Sequence, residues 1–274
     1  MARLDRYVVI GNPVSHSLSP AIHARFAAQT GDSLEYTPLL VPLGEFEREA
    51  ARFFGAGGAG ANVTLPFKVD AFRFAGRASE RARLAGAANF LARRDGLIEA
   101  DNTDGAGLVA DLVKNLGLSL GARTILLVGA GGAARGVIAP LLAQCPARLV
   151  IANRTAPRAL ELAEAFAAHG PIEAAPLQSI PETRYDLVVN ATSTSTHGET
   201  LELPPHILGS QTFAYDMAYG PAARPFVTLA RSRGASASDG LGMLVEQAAE
   251  SFRLWRGRSP DTAPILAELR ARFA

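Results

Sequence analysis

The sequence predicts an α/β protein of two domains, and three observations support this fold class. Short runs of β-branched and aliphatic residues alternate with longer segments whose apolar residues recur at helical spacing. The chain has 274 residues, 48% of them hydrophobic, which is enough to bury a core in each of two domains. A glycine-rich segment follows one of the predicted strands and opens a helix. Alternation of this kind indicates parallel sheets with helices on both faces.

The first part of the chain is expected to form an N-terminal α/β domain over residues 1–104. Ser19 is the expected N-cap of its first helix, with Pro20 at the first helical position. A β-hairpin over 89–100 is expected to turn at Asp95-Gly96. The other predicted strands are 7–11, 34–40 and 61–64, and the predicted helices are 19–30, 43–54 and 66–86, the last broken near Gly76.

The second part repeats the alternation and predicts a doubly wound parallel sheet over residues 105–239. A helix over 102–117 leads into it from a junction at 101–106. The remaining segment, 240–274, is expected to form helices that pack back on the first domain. The predicted strands of the second domain are 124–130, 148–154, 185–192 and 213–219, and the predicted helices are 133–144, 156–170, about 222–233, 241–256 and 262–272.

Charge and cysteine content limit the class of protein. The net charge of +1 gives no reason to expect binding to nucleic acid or to an acidic membrane surface. Cys145 is the single cysteine, so no internal disulfide can form, and we expect it to be a small core residue on a helix. The apolar run before Gly11 is too short for a signal peptide, and no run approaches the ~20 residues of a membrane span. These features predict a soluble cytoplasmic protein.

The pentapeptide GAGGA occurs twice, and only the second copy has the setting of a phosphate-binding turn. The first, GAGGAG at 55–60, completes a G-x-G-x-x-G pattern but follows a helix and precedes a strand. We therefore expect a connection there, with Gly55 as a left-handed helix C-cap. The second copy follows a strand and opens a helix, so backbone N–H groups and the helix dipole can face a pyrophosphate. The candidate cofactor-binding residues of this Rossmann-type turn are Gly129, Ala130, Gly131, Gly132 and Ala133.

The residues after the next strand indicate which dinucleotide is bound. An NAD site usually has Asp or Glu there, which binds the ribose 2′-hydroxyl. Here the strand ends in Asn153, Arg154 and Thr155, and Arg158 follows one turn later. Arginines can bind a 2′-phosphate that a carboxylate would repel, so the predicted cofactor is NADP(H). The alternative is that the two arginines are a solvated helix start.

Polar residues occur in the first domain where a core would be apolar. They lie in SHSLSP (15–20), NVTLPFK (62–68) and DNTDG (101–105). Taken singly, each has a structural explanation as a cap or a surface charge. Only two of the 27 basic residues are lysines, Lys68 and Lys114. Because a desolvated lysine can release its proton and an arginine effectively cannot, Lys68 is the candidate for acid–base chemistry, whereas Lys114 is expected to be solvated.

Together these segments resemble the shikimate dehydrogenase family, whose motif order they follow over nearly the whole chain. The resemblance implies a two-domain α/β enzyme, with an N-terminal substrate domain and a Rossmann-type NADP domain, that reduces 3-dehydroshikimate to shikimate with NADPH. Phe90, where the family usually has threonine, and Thr194-Ser195, where a glycine commonly follows NATS, depart from its pattern. The matching segments are GNPVSHSLSP (11–20), NVTLPFK (62–68), GAAN (86–89), NTDG (102–105), GAGGAARG (129–136), NRT (153–155), NATS (190–193), YDMAY (215–219) and DGLGMLVEQAA (239–249).

The resemblance also implies roles for individual residues. Ser17 and Ser19 would bind the substrate carboxylate, and Tyr219 would lie beside the substrate. Lys68 would contact the substrate and transfer the proton, with Asp104 as its partner. The ring hydroxyls would be bound by Thr64, Asn89, Asp104 and Gln247. NADP would contact residues 129–133 and 153–158, with Met217 and Gly240 near the nicotinamide.

Reduction of a ketone needs a hydride on carbon and a proton on oxygen, and an ammonium group at Lys68 can supply the proton. We expect Asp104 to position this lysine, with His16 and His23 as rival proton donors. No spacing of His, Cys or Asp predicts a metal site.

Two other functions stay open: a quinate/shikimate-type polyol dehydrogenase and a non-catalytic NADP-binding regulatory module. The expected partner is a small-molecule substrate, and the expected state is a monomer or homodimer.

Overall fold

The structure, a computed structural model, describes residues 4–192, 194 and 201–273. The described residues divide into two compact units. The first unit contains the residues up to Gly107 and the segment Leu244–Arg272. The second unit contains Leu108–Met243 together with Phe273.

Strands and helices alternate along both parts of the chain. The elements up to the first hairpin are β1 (Asp5–Gly11), α1 (Ser19–Thr30), β2 (Leu34–Leu40), α2 (Phe46–Gly55), β3 (Gly60–Val63), α3 (Lys68–Phe74), β4 (Arg77–Ala78), α4 (Glu80–Ala85), β5 (Phe90–Arg94) and β6 (Leu97–Asp101). They are followed by α5 (Asp104–Ala110), β7 (Thr124–Val128), α6 (Gly132–Leu142), β8 (Arg148–Asn153), α7 (Ala156–Phe166), β9 (Ile172–Pro176), β10 (Leu187–Asn190), β11 (Phe213–Asp216), α8 (Arg224–Ser232), β12 (Ser236–Ser238), α9 (Leu241–Arg256) and α10 (Ala263–Phe273).

The sheet of the first unit has the order β2-β1-β3-β5-β6-β4. Strand β1 is parallel to both β2 and β3, whereas β5 is antiparallel to β3 and β6. The antiparallel pairs come from the predicted hairpin, in which Asp95 and Gly96 have φ values of 49° and 81°. Ile10, Val63 and Leu91 are buried in the core on this sheet.

The sheet of the second unit has the order β12-β11-β10-β7-β8-β9, and its paired strands are parallel. The chain winds from β7 outward through β8 and β9, and then in the opposite direction through β10, β11 and β12. The point where the direction reverses, between β7 and β10, is where doubly wound folds bind their ligands. The predicted Rossmann-type fold is confirmed, with Leu126, Val150 and Val188 in its buried core.

Two predicted helix ends differ from the structure. Ser19 is not the N-cap of α1, because helix α1 already begins at Ser19 and the cap is Leu18. The serine that satisfies a free backbone group is Ser17, whose Oγ accepts from Ser19 N at 3.2 Å. Gly55 is not left-handed either: it ends α2, and the left-handed residue of that connection is Gly57, with φ of 89°.

The interpretation of Cys145 as a core residue on a helix is wrong. Helix α6 ends at Leu142, and Cys145 lies in the following turn with φ of 53° and an exposed side chain. Strands β4, β9 and β12, of two to five residues, were not predicted from the sequence. The helix predicted over 102–117 begins at Asp104 and ends in a π-helical turn at Asp111–Asn115.

Candidate active site

The candidate residues of the first unit follow or precede strands at one edge of its sheet. In the ladder, Ile10 of β1 is opposite Val63 of β3, so these strands end side by side. Phe90, which begins β5, pairs with Asp101, which ends β6. The loops at this edge carry Ser17 and Ser19 after β1, Thr64 and Lys68 after β3, Asn89 before β5 and Asp104 after β6.

Lys68 and Asp104 form a shielded ion pair at this edge. Lys68 is the first residue of α3 and Asp104 is the first residue of α5. The Lys68 Nζ lies 2.5 Å from Asp104 Oδ2, and the two side chains are only 12% and 6% exposed. The Asp104 N–H donates to Asn102 Oδ1 at 3.1 Å, which anchors the carboxylate's own backbone. The structure thus gives the candidate lysine one fixed partner and little contact with water.

Asn89 connects this pair to Gln247 on α9. Asn89 Oδ1 accepts from Thr103 N at 2.7 Å, which fixes the orientation of the amide. Asn89 Nδ2 then donates to Asp104 Oδ1 at 2.8 Å and to Gln247 Oε1 at 3.2 Å. Four of the predicted residues, Lys68, Asp104, Asn89 and Gln247, are therefore in one hydrogen-bonded cluster.

The predicted serine and threonine ligands lie at the same edge outside this cluster. Ser19 is buried on the first turn of α1, and Ser17 is half-buried in the preceding loop. Thr64 follows β3, and a Cβ on Gly11 would lie 2.5 Å from its Cγ2, so a larger residue at position 11 would displace the Thr64 side chain. Among the described residues, no hydrogen bond joins these three hydroxyls directly to Lys68, and Ser17 Oγ accepts from Ser19 N within the loop.

Asp101 stabilises the strand end that leads to Asp104. Arg81 donates to both of its carboxylate oxygens, at 2.5 and 2.9 Å, and Ser79 Oγ donates at 2.5 Å. Burial opposes the charge, but these hydrogen bonds hold the pKa of Asp101 below its usual value. The end of β6 is thereby fixed at the site.

No role was predicted from the sequence for four further polar residues in the core of the first unit, namely Tyr36, Asn62, Thr103 and Ser251, although Asn62 and Thr103 lie in the polar segments 62–68 and 101–105. All four are buried. A signal was present for two of them: Asn62 interrupts the apolar run of β3, and Ser251 lies one turn beyond Gln247 on α9. Their hydrogen bonds join residues far apart in the chain, which no local pattern reveals.

The glycine turn of the second unit has the geometry that a pyrophosphate requires. Gly129 follows β7 with φ of 116°, and a Cβ on it would lie 3.0 Å from the backbone of Ala191. Gly131 is the N-cap of α6, and a Cβ there would meet nothing within 4 Å. The turn thus needs glycine at position 129 and leaves open space beside Gly131, at the start of α6.

The basic residues lie after the neighbouring strand, at the same sheet edge. Val128 of β7 pairs with Ala152 of β8, so Asn153 ends β8 beside the glycine turn. Asn153 Nδ2 donates to Thr155 O at 2.9 Å, which shapes the turn into α7. Arg154 and Arg158 are exposed, and in the described part of the chain neither forms an ion pair. These residues fit a 2′-phosphate on the dinucleotide.

Met217, Tyr219 and Gly240 also belong to the second unit. Asp216, at the end of β11, accepts from Ala218 N at 2.8 Å and from Asn190 Nδ2 at 3.0 Å. A Cβ on Gly240 would lie 2.5 Å from Met217 O, so glycine is required for this approach. The 217–219 segment is therefore fixed at the carboxyl end of the sheet.

Of the two departures from the family pattern, the structure describes Phe90 fully and Thr194-Ser195 only in part. Phe90 is buried, and its ring stacks on Trp255 with centroids 5.0 Å apart, so it serves the core of the first unit. Ser195 and the segment 196–200 after it lie outside the described residues.

Within the described ranges, no group of three or more His, Cys, Asp and Glu side chains could hold a metal ion, and no helix is long and apolar enough to cross a membrane.

Fold and site together define a class of protein. The second unit has a doubly wound sheet with an open glycine turn and two exposed arginines. The same chain has a shielded Lys–Asp pair among amides and hydroxyls. These features define an NADP-dependent oxidoreductase for a polar small molecule.

Comparisons with known proteins identify the family. Residues 9–91 match the shikimate dehydrogenase substrate binding domain, 111–202 the shikimate/quinate 5-dehydrogenase model and 240–270 the shikimate 5′-dehydrogenase C-terminal domain. A shikimate dehydrogenase (NADP(+)) from Dechloromonas aromatica is 55% identical over 98% of both chains. The chain belongs to the shikimate dehydrogenase family.

Solved structures agree with this assignment. The Ael1 enzyme from Pseudomonas putida is 46% identical, with a TM-score of 0.90 over 97% of this chain and 98% of that one. The shikimate 5-dehydrogenase from Thermus thermophilus, in complex with NADP(H) and shikimate, is 33% identical, with a TM-score of 0.84 over 98% and 99% of the two chains.

Proposed function

We propose that this chain catalyses the reversible reduction of 3-dehydroshikimate to shikimate with NADPH, and that Lys68 transfers the proton. The observation that carries the proposal is the shielded Lys68–Asp104 pair, tied through Asn89 to Gln247. Family membership and the fit of the second unit to NADP(H) support it.

The reaction adds a hydride to the carbonyl carbon and a proton to the carbonyl oxygen. Bound NADPH supplies the hydride. An ammonium group has three N–H donors; Asp104 Oδ2 accepts from Lys68, and the remaining donors can face the substrate oxygen. Lys68 then gives its proton to the developing alkoxide, and solvent returns a proton to the neutral amine. In the oxidative direction, Lys68 accepts the hydroxyl proton.

Asp104 is proposed to position Lys68. One of its oxygens holds the ammonium group and the other holds Asn89. The contact with Asp104 Oδ2 holds the Lys68 amine in one place for proton transfer. Asp104 can also accept a hydrogen bond from a substrate hydroxyl.

The first unit is proposed to bind the substrate and the second NADP(H). Ser17 and Ser19 would bind the substrate carboxylate, and Tyr219 would also contact the substrate. Hydroxyls of the ring would bind to Thr64, Lys68, Asn89, Asp104 and Gln247. The cofactor would bind to Gly129, Ala130, Gly131, Gly132, Ala133, Asn153, Arg154, Thr155, Arg158, Met217 and Gly240.

The proposal includes the sequence-based predictions of location, partners and oligomeric state. We expect the enzyme to act in the cytoplasm on a free small molecule, without nucleic acid, as a monomer or homodimer. Light scattering behind a sizing column decides between the two oligomeric states.

Quinate is the second candidate substrate, because the model that matches 111–202 describes both shikimate and quinate enzymes. A regulatory module is less well supported, because a protein that only senses NADP has no need of a shielded Lys–Asp pair. Absorbance at 340 nm, followed with shikimate or quinate and with NADP⁺ or NAD⁺, separates these functions. We expect shikimate with NADP⁺ to give the highest kcat/KM. Quinate with NAD⁺ as the best pair would favour the alternative enzyme, and no reduction in any combination would favour the module.

A further inference from the structure

Asn62, on the buried strand β3, joins Tyr36 of β2 to Ser251 of α9. The Tyr36 hydroxyl donates to Asn62 Oδ1 at 2.8 Å, and Asn62 Nδ2 donates to Ser251 Oγ at 2.9 Å. Ser251 Oγ in turn lies 3.1 Å from Thr103 Oγ1. All four side chains are buried. A line of polar groups therefore crosses the core of the first unit from β2 to the residue before Asp104.

Asn89 continues this line to the ion pair. Its Nδ2 donates to Thr103 Oγ1 at 2.9 Å and to Asp104 Oδ1 at 2.8 Å. The other oxygen of Asp104 accepts from Lys68. Successive hydrogen bonds thus link the buried side chains to the ion pair, and Asn62 Nδ2 also donates to the backbone oxygen of Asn89 at 3.1 Å.

Tyr36 is fixed as a donor at the far end of this line. Its ring stacks on the ring of His23, with centroids 4.2 Å apart and planes 9° from parallel. Burial raises the pKa of Tyr36 well above its usual value, an effect that the neighbouring Ser19 hydroxyl only partly offsets. The phenol therefore stays protonated and donates a hydrogen bond to Asn62 Oδ1.

We propose that Tyr36 and Ser251 are positioning residues for the Lys68–Asp104 pair, acting through Asn62, Thr103 and Asn89. The inference rests on the proposed function, because it takes this pair to act on the substrate. Burying a hydroxyl in a core costs free energy that an apolar side chain avoids. Phenylalanine at position 36 and alanine at position 251 would fill the same space without a hydroxyl. The Tyr36 and Ser251 hydroxyls are therefore explained by the orientation that they impose on the side-chain amides of the line.

Tyr7 offers a matched control for Tyr36. The two tyrosines pair across β1 and β2, and both belong to the same buried apolar cluster. The Tyr7 hydroxyl instead accepts from Arg256 at 3.4 Å, and no hydrogen bond of the line involves it. Tyr7→Phe thus removes a buried hydroxyl from the same core without touching the line.

The test compares Tyr36→Phe, Ser251→Ala, the double variant and Tyr7→Phe in shikimate oxidation, with urea unfolding to confirm that each is folded. We expect kcat/KM for shikimate to fall about 5- to 20-fold in each single variant of the line, the effect of one lost hydrogen bond. The KM for NADP⁺ should stay at the wild-type value, and Tyr7→Phe should retain wild-type kinetics. Because both residues act through one line, the double variant should be about as impaired as the more impaired single variant.

Kinetics of Tyr36→Phe and Ser251→Ala equal to those of Tyr7→Phe would overturn the inference. So would a double variant whose loss is the product of the two single losses, since that shows independent effects. A wild-type protein inactive with shikimate under every cofactor would instead contradict the proposed function itself.

Discussion

Asp104 is the residue on which the arrangement of the site depends most. One carboxylate holds Lys68 through Oδ2 and Asn89 through Oδ1. Asp104→Asn replaces one acceptor by a donor and leaves the Lys68 ammonium without its counter-charge. We expect kcat for shikimate oxidation to fall about 10- to 100-fold, because the Lys68 amine is no longer held in position for proton transfer. Steady-state kinetics at saturating NADP⁺ measure it, and an unchanged kcat would show that Asp104 does not position Lys68.

His23 makes a separate prediction about stability and pH. It is fully buried, and neither of its ring nitrogens has a hydrogen-bond partner among the described residues. Burial lowers the pKa of His23 from 6.5 to about 3. The unfolded chain therefore binds a proton that the folded chain excludes, so stability contributed above pH 6.5 is lost as the pH falls toward 3.

We expect the free energy of unfolding to fall by roughly 2 kcal/mol between about pH 7.5 and about pH 5 because of this histidine. His23→Phe should remove that part of the pH dependence, whereas His206→Gln, at an exposed histidine, should keep it. Urea unfolding at the two pH values gives the comparison. Equal pH dependence in wild type and His23→Phe would contradict the buried neutral ring.

At the scale of elements, the turn between β8 and α7 is expected to determine cofactor choice. Arg154 and Arg158 are exposed and have no ion-pair partner in the described ranges, so their charges are available to a 2′-phosphate. The double variant Arg154→Ala/Arg158→Ala should raise the KM for NADP⁺ about 10- to 100-fold and leave the KM for NAD⁺ nearly unchanged. Arg184→Ala, at another exposed arginine of the second unit, is the control. Equal changes for both cofactors would exclude this assignment.

Elements with a strong local signal could be predicted from the sequence. The strand Leu34–Leu40, the hairpin at Asp95-Gly96 and the glycine turn after β7 all follow from residue patterns within a few positions. Strand β12 could not be predicted, because its three residues form a strand only by pairing with β11. The positive φ of Cys145 likewise depends on how the chain leaves α6.

At the scale of the whole molecule, the sequence predicted which polar residues lie at strand ends but not what connects them. The order of strands and the antiparallel direction of β5 bring Thr64, Asn89 and Asp104 to one sheet edge. The hydrogen bond from Asn62 to Ser251 spans 189 positions in the chain. Only the folded core reveals such a partner, which is why the polar line behind Asn89 was missed.

The central claim is that Lys68 carries the proton in NADP-dependent shikimate oxidation, and Lys68→Ala tests it most directly. Lys114→Ala is the matched control, because Lys114 is the other lysine of the chain and is exposed. With shikimate and NADP⁺, we expect kcat to fall by about 10²- to 10⁴-fold in Lys68→Ala while the KM for shikimate changes little. Lys114→Ala should retain wild-type values. A kcat of Lys68→Ala near that of the wild type would contradict the account.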